Sequence, residues 1–231
     1  MKTEGVIERL LCDNPKLHFI PEDWAREAGI EPGPVYFSVA PEVIRYIASV
    51  VKGEYLTLET GAGQTTVALA ALAKHHTAVM YPQQESFELV LRYMSEIGIP
   101  HEKVTIIQES SDTALARFSL REKFDFAFID GCHGYPFPAM DWHFVDLILK
   151  IGGIIGFDNT ELRAVQHHCD FLVTNGSYKL VERVTDTSFG KDYGAAFFVK
   201  LKDEQREWTW QRYNRLPSRW DIEDRSGGRD G

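Results

Sequence analysis

Apolar positions along the chain follow two alternating rhythms, short unbroken runs and stretches with a 3.6-residue repeat. The first clear helical stretch is Pro41 to Val51. Val43, Ile44, Ile47, Ala48 and Val51 share one face there, and Pro41 suits a first helical turn. A strand at Tyr55–Glu59 runs into Thr60-Gly61-Ala62-Gly63-Gln64-Thr65-Thr66, followed by an Ala/Leu-rich helix from Val67 to Lys74. Thr77–Tyr81 reads as a second strand and Val104–Gln108 as a third. Between them Ser86–Ile97 is amphipathic, with Phe87, Leu91, Met94 and Ile97 on one stripe. A short helical stretch follows near Asp112–Phe118.

The centre of the pattern is Phe124 to Asn159. An apolar run, Phe124–Ile129, ends on Asp130, and a helical stretch and the pair Gly152-Gly153 follow. A second run, Ile154–Phe157, ends on Asp158-Asn159. Two strands joined by a helix, each delivering polar groups at its C-terminal end, form a βαβ unit with a site at the sheet's lip. Asp130, His133, Asp158 and Asn159 converge there. Leu162–Leu172 is then expected to be helical, and Tyr178–Val184 with Ala195–Leu201 to form a closing antiparallel pair.

The regions outside this pattern set the domain reading: residues 1–40 as an N-terminal covering segment, 41–201 as the α/β domain and 202–231 as a charged tail. Pro21–Glu27 suits a short helix in the cover. The last residues, from Arg225, are expected to be disordered. Trp208, Trp210, Tyr213 and Trp220 point to packing on the domain or on a neighbouring subunit, or to a lid, and leave a homodimer open.

A formal net charge of -9 argues against a general nucleic-acid binder. Cys12, Cys132 and Cys169 are odd in number and widely spaced, which argues against a disulfide framework and for a reducing compartment. No apolar run reaches the length of a membrane span, and no signal-peptide core precedes the first helix. A cytoplasmic protein with no membrane or nucleic-acid partner is expected.

Strand, glycine turn and helix in that order, closed by two terminal strands, resemble the class I S-adenosylmethionine-dependent methyltransferases from Pro41 to Leu201. That resemblance implies a Rossmann-like seven-stranded, mostly parallel sheet with an antiparallel final strand and helices on both faces. Glu59-Thr60-Gly61-Ala62-Gly63 looks like the first motif of that family, with Gly61 and Gly63 letting the backbone approach the cofactor and Glu59 accepting hydrogen bonds from its methionine portion. Gly152 to Thr160 resembles the metal-dependent O-methyltransferases of the catechol and caffeoyl-CoA type. In that group the positions of Asp130, Asp158 and Asn159 hold a magnesium-type ion, a role that three oxygen donors suit. Asp130-Gly131-Cys132-His133 is similar to the pattern of the sugar O-methyltransferases. It implies a histidine base, His133, acting with Asp130 on a small hydroxylated substrate.

One departure concerns the second strand, where the family normally offers a ribose-binding acid. Met80-Tyr81-Pro82-Gln83-Gln84 has none, leaving Tyr81, Gln83 or Gln84 for that role. Ser110 or Ser111, after the third strand, falls where the family often contacts adenine. The competing reading is a Rossmann-like nucleotide- or metal-binding protein that has lost methyl transfer. An NAD-linked oxidoreductase ranks last, because Thr66 stands where a third glycine would be needed. Cys132 reads as a passive neighbour, and His167-His168 as a solvated helix face.

Overall fold

A computed structural model describes residues 3–118, 123–186 and 193–203. The N-terminal part contains α1 (Thr3–Asp13), β1 (His18–Ile20), α2 (Glu22–Ala28) and β2 (Gly33–Val35). There follow α3 (Pro41–Val50), β3 (Leu56–Thr60), α4 (Gln64–Leu72), β4 (His75–Met80), α5 (Gln84–Glu96) and β5 (Val104–Gln108). The rest comprises α6 (Ser111–Ala114), β6 (Phe124–Ile129), α7 (Phe137–Ile148), β7 (Leu149–Phe157), α8 (Arg163–Asn175), β8 (Tyr178–Asp186) and β9 (Tyr193–Lys200).

Seven of these strands form one sheet in the order β5-β4-β3-β6-β7-β9-β8. β5, β4, β3, β6 and β7 run parallel, and β9 is antiparallel to both of its neighbours. The expected fold class is the observed one. The parallel strands are near-continuous apolar runs because both sheet faces are covered. β6 shows this most simply: Phe126 and Phe128 pack with Val43, Ile44, Val67, Val90 and Met94 on one side. Ala127 and Ile129 pack with Trp142, Val145, Ile148 and Leu172 on the other.

The strand order reverses between β3 and β6, and that geometry opens a crevice beyond their C-terminal ends. Backbone bonds hold the lip in register: Asp130 N donates to Thr60 O at 3.0 Å, and Asp158 N to Ile129 O at 3.1 Å.

Several expectations change in detail. β7 starts at Leu149 rather than Ile154 and passes through Gly152-Gly153, where the pairing with β6 shifts register between Phe124 and Phe126. Gly152 has φ +83°, a left-handed backbone that breaks the simple strand pattern. His168 is buried against Trp142, Phe157 and Phe171, not solvated, because the far side of α8 meets α7 and the sheet.

The N-terminal segment carries the short helix expected near Pro21–Glu27, as α2, and adds α1 and two short strands. Val6, Ile7 and Leu10 of α1 join the same core as α3 and α4, and Gln64 Nε2 donates to Asn14 Oδ1 at 2.7 Å. β1 and β2 pair antiparallel as a separate small sheet. Trp208, Trp210, Tyr213, Trp220 and the residues from Arg225 lie outside the described residues.

Candidate active site

Two adjoining cavities occupy the crevice. The smaller, of about 430 Å³, is lined by Asp130, His133, Asp158 and Asn159, by the Gly61–Thr65 loop, and by His18, Phe37, Ser38 and Val39. The larger, of about 680 Å³, has apolar walls from Val79, Met80 and Phe137 and polar groups from Thr60, Ser110 and Ser111. Gly61, Ala62, Asp130, Gly131 and His18 line both. Asp130 therefore stands at the junction.

The glycine loop turns where it must. Gly61 has φ +90°, and a Cβ there would collide with the backbone carbonyl of Asp130. Only glycine lets the β3–α4 turn pass so close to the end of β6. Gly63 starts α4, and its N–H donates to Thr66 Oγ1 at 2.8 Å. Thr66 in turn donates to Glu59 Oε1, which His76 Nε2 also meets at 3.1 Å.

This network fixes one oxygen of Glu59 and leaves Oε2 without a hydrogen-bond partner. Its side chain is buried behind the loop and lines neither cavity, because Thr66 and His76 draw it toward the core. Glu59 shapes the loop from behind and acts on the cavity through its charge.

Negative charge gathers at the junction. Burial, then the neighbouring charges of Asp158 and Glu59, push the Asp130 carboxyl well above the usual carboxylate range. Asn159 Nδ2 donates to Glu161 Oε1 at 3.0 Å, which leaves the amide oxygen as the group it can offer the cavity. Among the described residues no group of three or more His, Cys, Asp or Glu is placed to hold a metal ion. The set here has only two carboxylates, with an amide as the third oxygen.

His133 lies with Nε2 3.7 Å from Asp130 Oδ1. Burial lowers its pKa, against the opposing charge of Glu161, so the ring is neutral and able to accept a proton at neutral pH. His18 was not anticipated. Its ring presses on Gly63, where a Cβ would come within 2.7 Å of Nε2, and packs edge-on to Phe37 at 5.5 Å. Burial lowers its pKa as well, opposed by the Phe37 backbone and the Glu59 charge.

The cover is fastened through the end of β4. Phe19 N donates to Ser86 Oγ at 2.9 Å, and Gln83 Nε2 donates to Phe19 O. Gln83 thus ties down the hairpin from the place where a ribose-binding acid was sought. Tyr81 is 78% exposed at the rim of the larger cavity. Gln84 is bonded to Glu88. Ser110 and Ser111 both line the larger cavity, and the Ser110 hydroxyl is engaged with Asp112. Cys132 lines the same cavity beside Asp130.

Residues 58–160 match the family model of a methyltransferase domain. A tapetum-specific methyltransferase of Arabidopsis thaliana is 34% identical over 106 residues, 44% of this chain and 43% of that protein. The chain thus aligns with less than half the length of that curated relative. Among solved structures, an O-methyltransferase from Bacillus cereus in complex with SAH is similar with a TM-score of 0.62 and 15% identity, over 86% of this chain and 91% of that one. The O-methyltransferase TomG from Streptomyces achromogenes, in complex with SAM, has a TM-score of 0.59 at 15% identity, over 87% and 100%. An rRNA methylase from Streptococcus thermophilus has a TM-score of 0.56 at 18% identity, over 73% and 99%. At these identities the structural likenesses show the fold.

Proposed function

We propose that this chain, whose residues 58–160 form a methyltransferase domain on the class I fold, moves a methyl group from S-adenosylmethionine to a hydroxyl of a small molecule, with a divalent cation assisting. One observation carries the reading: Asp130, Asp158, Asn159 and His133 line a single cavity that opens along Gly61 and Asp130 into a second, apolar-walled one.

The residues around the larger cavity would hold S-adenosylmethionine, which would supply an electrophilic sulfonium methyl. Asp130, Asp158 and Asn159 would hold a hard cation such as magnesium, which supplies Lewis acidity toward a hydroxyl oxygen. The chain's own residues do the rest. The Gly61–Gly63 backbone allows close approach of the donor, and neutral His133 takes the acceptor hydroxyl's proton. The oxygen is then left to accept the methyl group in line. His18 and Phe37 close the smaller cavity from above and restrict water.

A small molecule suits this cavity better than nucleic acid. Its charged side chains are Asp130 and Asp158, and the whole chain carries a net charge of -9. No helix among the described residues is long and apolar enough to cross a membrane, and all three cysteines are unpaired.

A second reading, a Rossmann-like nucleotide- or metal-binding protein without methyl transfer, draws on one feature. Asp130 is the only carboxylate lining the larger cavity among the described residues, so no acid is positioned to grip a ribose. Calorimetric titration with S-adenosylmethionine, with and without magnesium, separates the two. Micromolar affinity for the donor and its demethylated product supports methyl transfer and warrants a screen of hydroxylated acceptors. Magnesium binding without donor binding at millimolar concentration supports the second reading.

A further inference from the structure

The hairpin over the crevice is tied to the domain at one residue. Phe19 of β1 stands opposite Pro34, which has no N–H to donate, so β2 cannot serve both of its backbone groups. Two side chains at the start of α5 serve them instead: Gln83 precedes the helix and Ser86 lies in its first turn. Phe19 N donates to Ser86 Oγ at 2.9 Å, and Gln83 Nε2 donates to Phe19 O. Ser86 Oγ then donates to Gln83 Oε1 at 2.7 Å. The three bonds close a ring, with both ends of the Gln83 amide and both backbone groups of Phe19 engaged. A two-stranded hairpin is marginal by itself, so this ring decides where β1 sits.

The same residues face the ligand space. Gln83 and Ser86 line the larger cavity, whereas His18, one residue before Phe19, lines both cavities. His18 packs in turn on Phe37, which follows β2 and lines the smaller cavity. A ligand in the larger cavity can therefore touch the ring itself, and the ring fixes the strand that carries a wall of the smaller cavity.

We propose that Gln83 and Ser86 are positioning residues that hold His18 at the junction of the two cavities, so that filling the larger cavity fixes the wall of the smaller one. The proposal rests on the methyltransferase reading above, with the donor in the larger cavity. The ring has two arrangements: bonded, with His18 held over Gly63, and open, with the hairpin released. A donor that packs on His18 and keeps water from the ring favours the bonded arrangement. By reciprocity the bonded ring favours the donor. The acceptor then meets a complete cavity once the donor is in place.

The test follows the ring and the ring's passenger separately. Amide hydrogen exchange at Phe19, measured without ligand, is expected to be about fivefold or more faster in Gln83→Met and in Ser86→Ala than in the wild type. Gln83→Met keeps the length of the side chain without its polar groups. Ser86→Ala is the smaller change, and it keeps the test decisive should the other variant fold poorly. Saturating S-adenosylhomocysteine should slow Phe19 exchange further in the wild type and protect His18 from carbethoxylation by diethyl pyrocarbonate, mapped by peptide mass spectrometry. In the variants that protection should be lost, and affinity for S-adenosylhomocysteine by calorimetry should fall by about fivefold or more. His133, carried by the lip, should react equally in wild type and variants. Unchanged Phe19 exchange in both variants overturns the ring as the fastening. Faster exchange with His18 protection and affinity intact overturns the coupling, and equal gains in reactivity at His18 and His133 mean general loosening and overturn the positioning role. A wild type that does not bind S-adenosylhomocysteine at millimolar concentration overturns the methyltransferase reading and the coupling with it, and the exchange comparison without ligand then judges the fastening alone.

Discussion

Asp130 and Asp158 reach the smaller cavity from the ends of neighbouring parallel strands, whereas His18 and Phe37 reach it from a hairpin outside the main sheet. Ladder-like backbone bonds at 3.0 and 3.1 Å hold the two acids. The hairpin is fastened to the domain through side chains, the Ser86 hydroxyl and the Gln83 amide. The strand ends can hold charged groups to within about 0.5 Å of a productive geometry, and the hairpin can yield when a ligand enters. Chemistry therefore belongs on the lip and closure on the cover. Substitutions on the two sides should fail in different ways.

The largest effect is expected at the lip. Asp158→Ala removes one of the two carboxylates offered to a cation, and turnover in the presence of magnesium should fall by roughly two orders of magnitude or more. Asp158 is buried, but it lines the crevice and its loss relieves Asp130 of a neighbouring like charge, so the melting temperature should change little. Undiminished turnover in a steady-state assay would remove it as a metal ligand.

His133→Ala comes next, with an expected loss of about a hundredfold in kcat and little change in affinity for the donor. Its pH signature has a definite sign. Burial favours the neutral ring, so the wild-type rate should hold down to pH values below the ordinary histidine range and then fall as His133 takes up a proton. The part of the acid limb set by His133 should be missing from the variant, leaving the limb set by Asp130 and Asp158. A pH–rate profile unchanged from the wild type excludes His133 as the base.

The contrast between lip and cover also explains what could be read from the chain beforehand. Phe124–Ile129 ending on Asp130 and a second run ending on Asp158-Asn159 are strong patterns, because parallel strands buried on both faces are apolar throughout and stop at their ligands. Glu59 was legible as the end of a strand but not in its direction. His76, a full strand away in sequence, helps turn it inward, and that partnership arises only when β3 and β4 pair. His18 was illegible for a similar reason. A three-residue strand has no periodicity to detect, and its partner at Gly33–Val35 lies across an intervening helix.

The smallest effect, and the sharpest comparison, lies in the two glycines between lip and cover. Gly61→Ala places a methyl group against the Asp130 carbonyl at a positive φ. The obstacle is backbone, so the loss should appear as stability, on the order of 2 kcal/mol or more. Gly63→Ala meets His18 Nε2 instead, the far end of a side chain, and its own φ of 177° is open to any residue. The imidazole can swing away at little cost to the fold, opening the cover above the loop. Donor affinity should then weaken by roughly three- to tenfold while the melting temperature stays near that of the wild type. A double variant, His18→Ala with Gly63→Ala, separates the causes: with the ring gone, the added methyl should cost nothing further, and the two losses should be far from additive. Additive losses in that cycle would mean that the methyl group disturbs the ligand directly. The hairpin would then be a neighbour of the site rather than its closure.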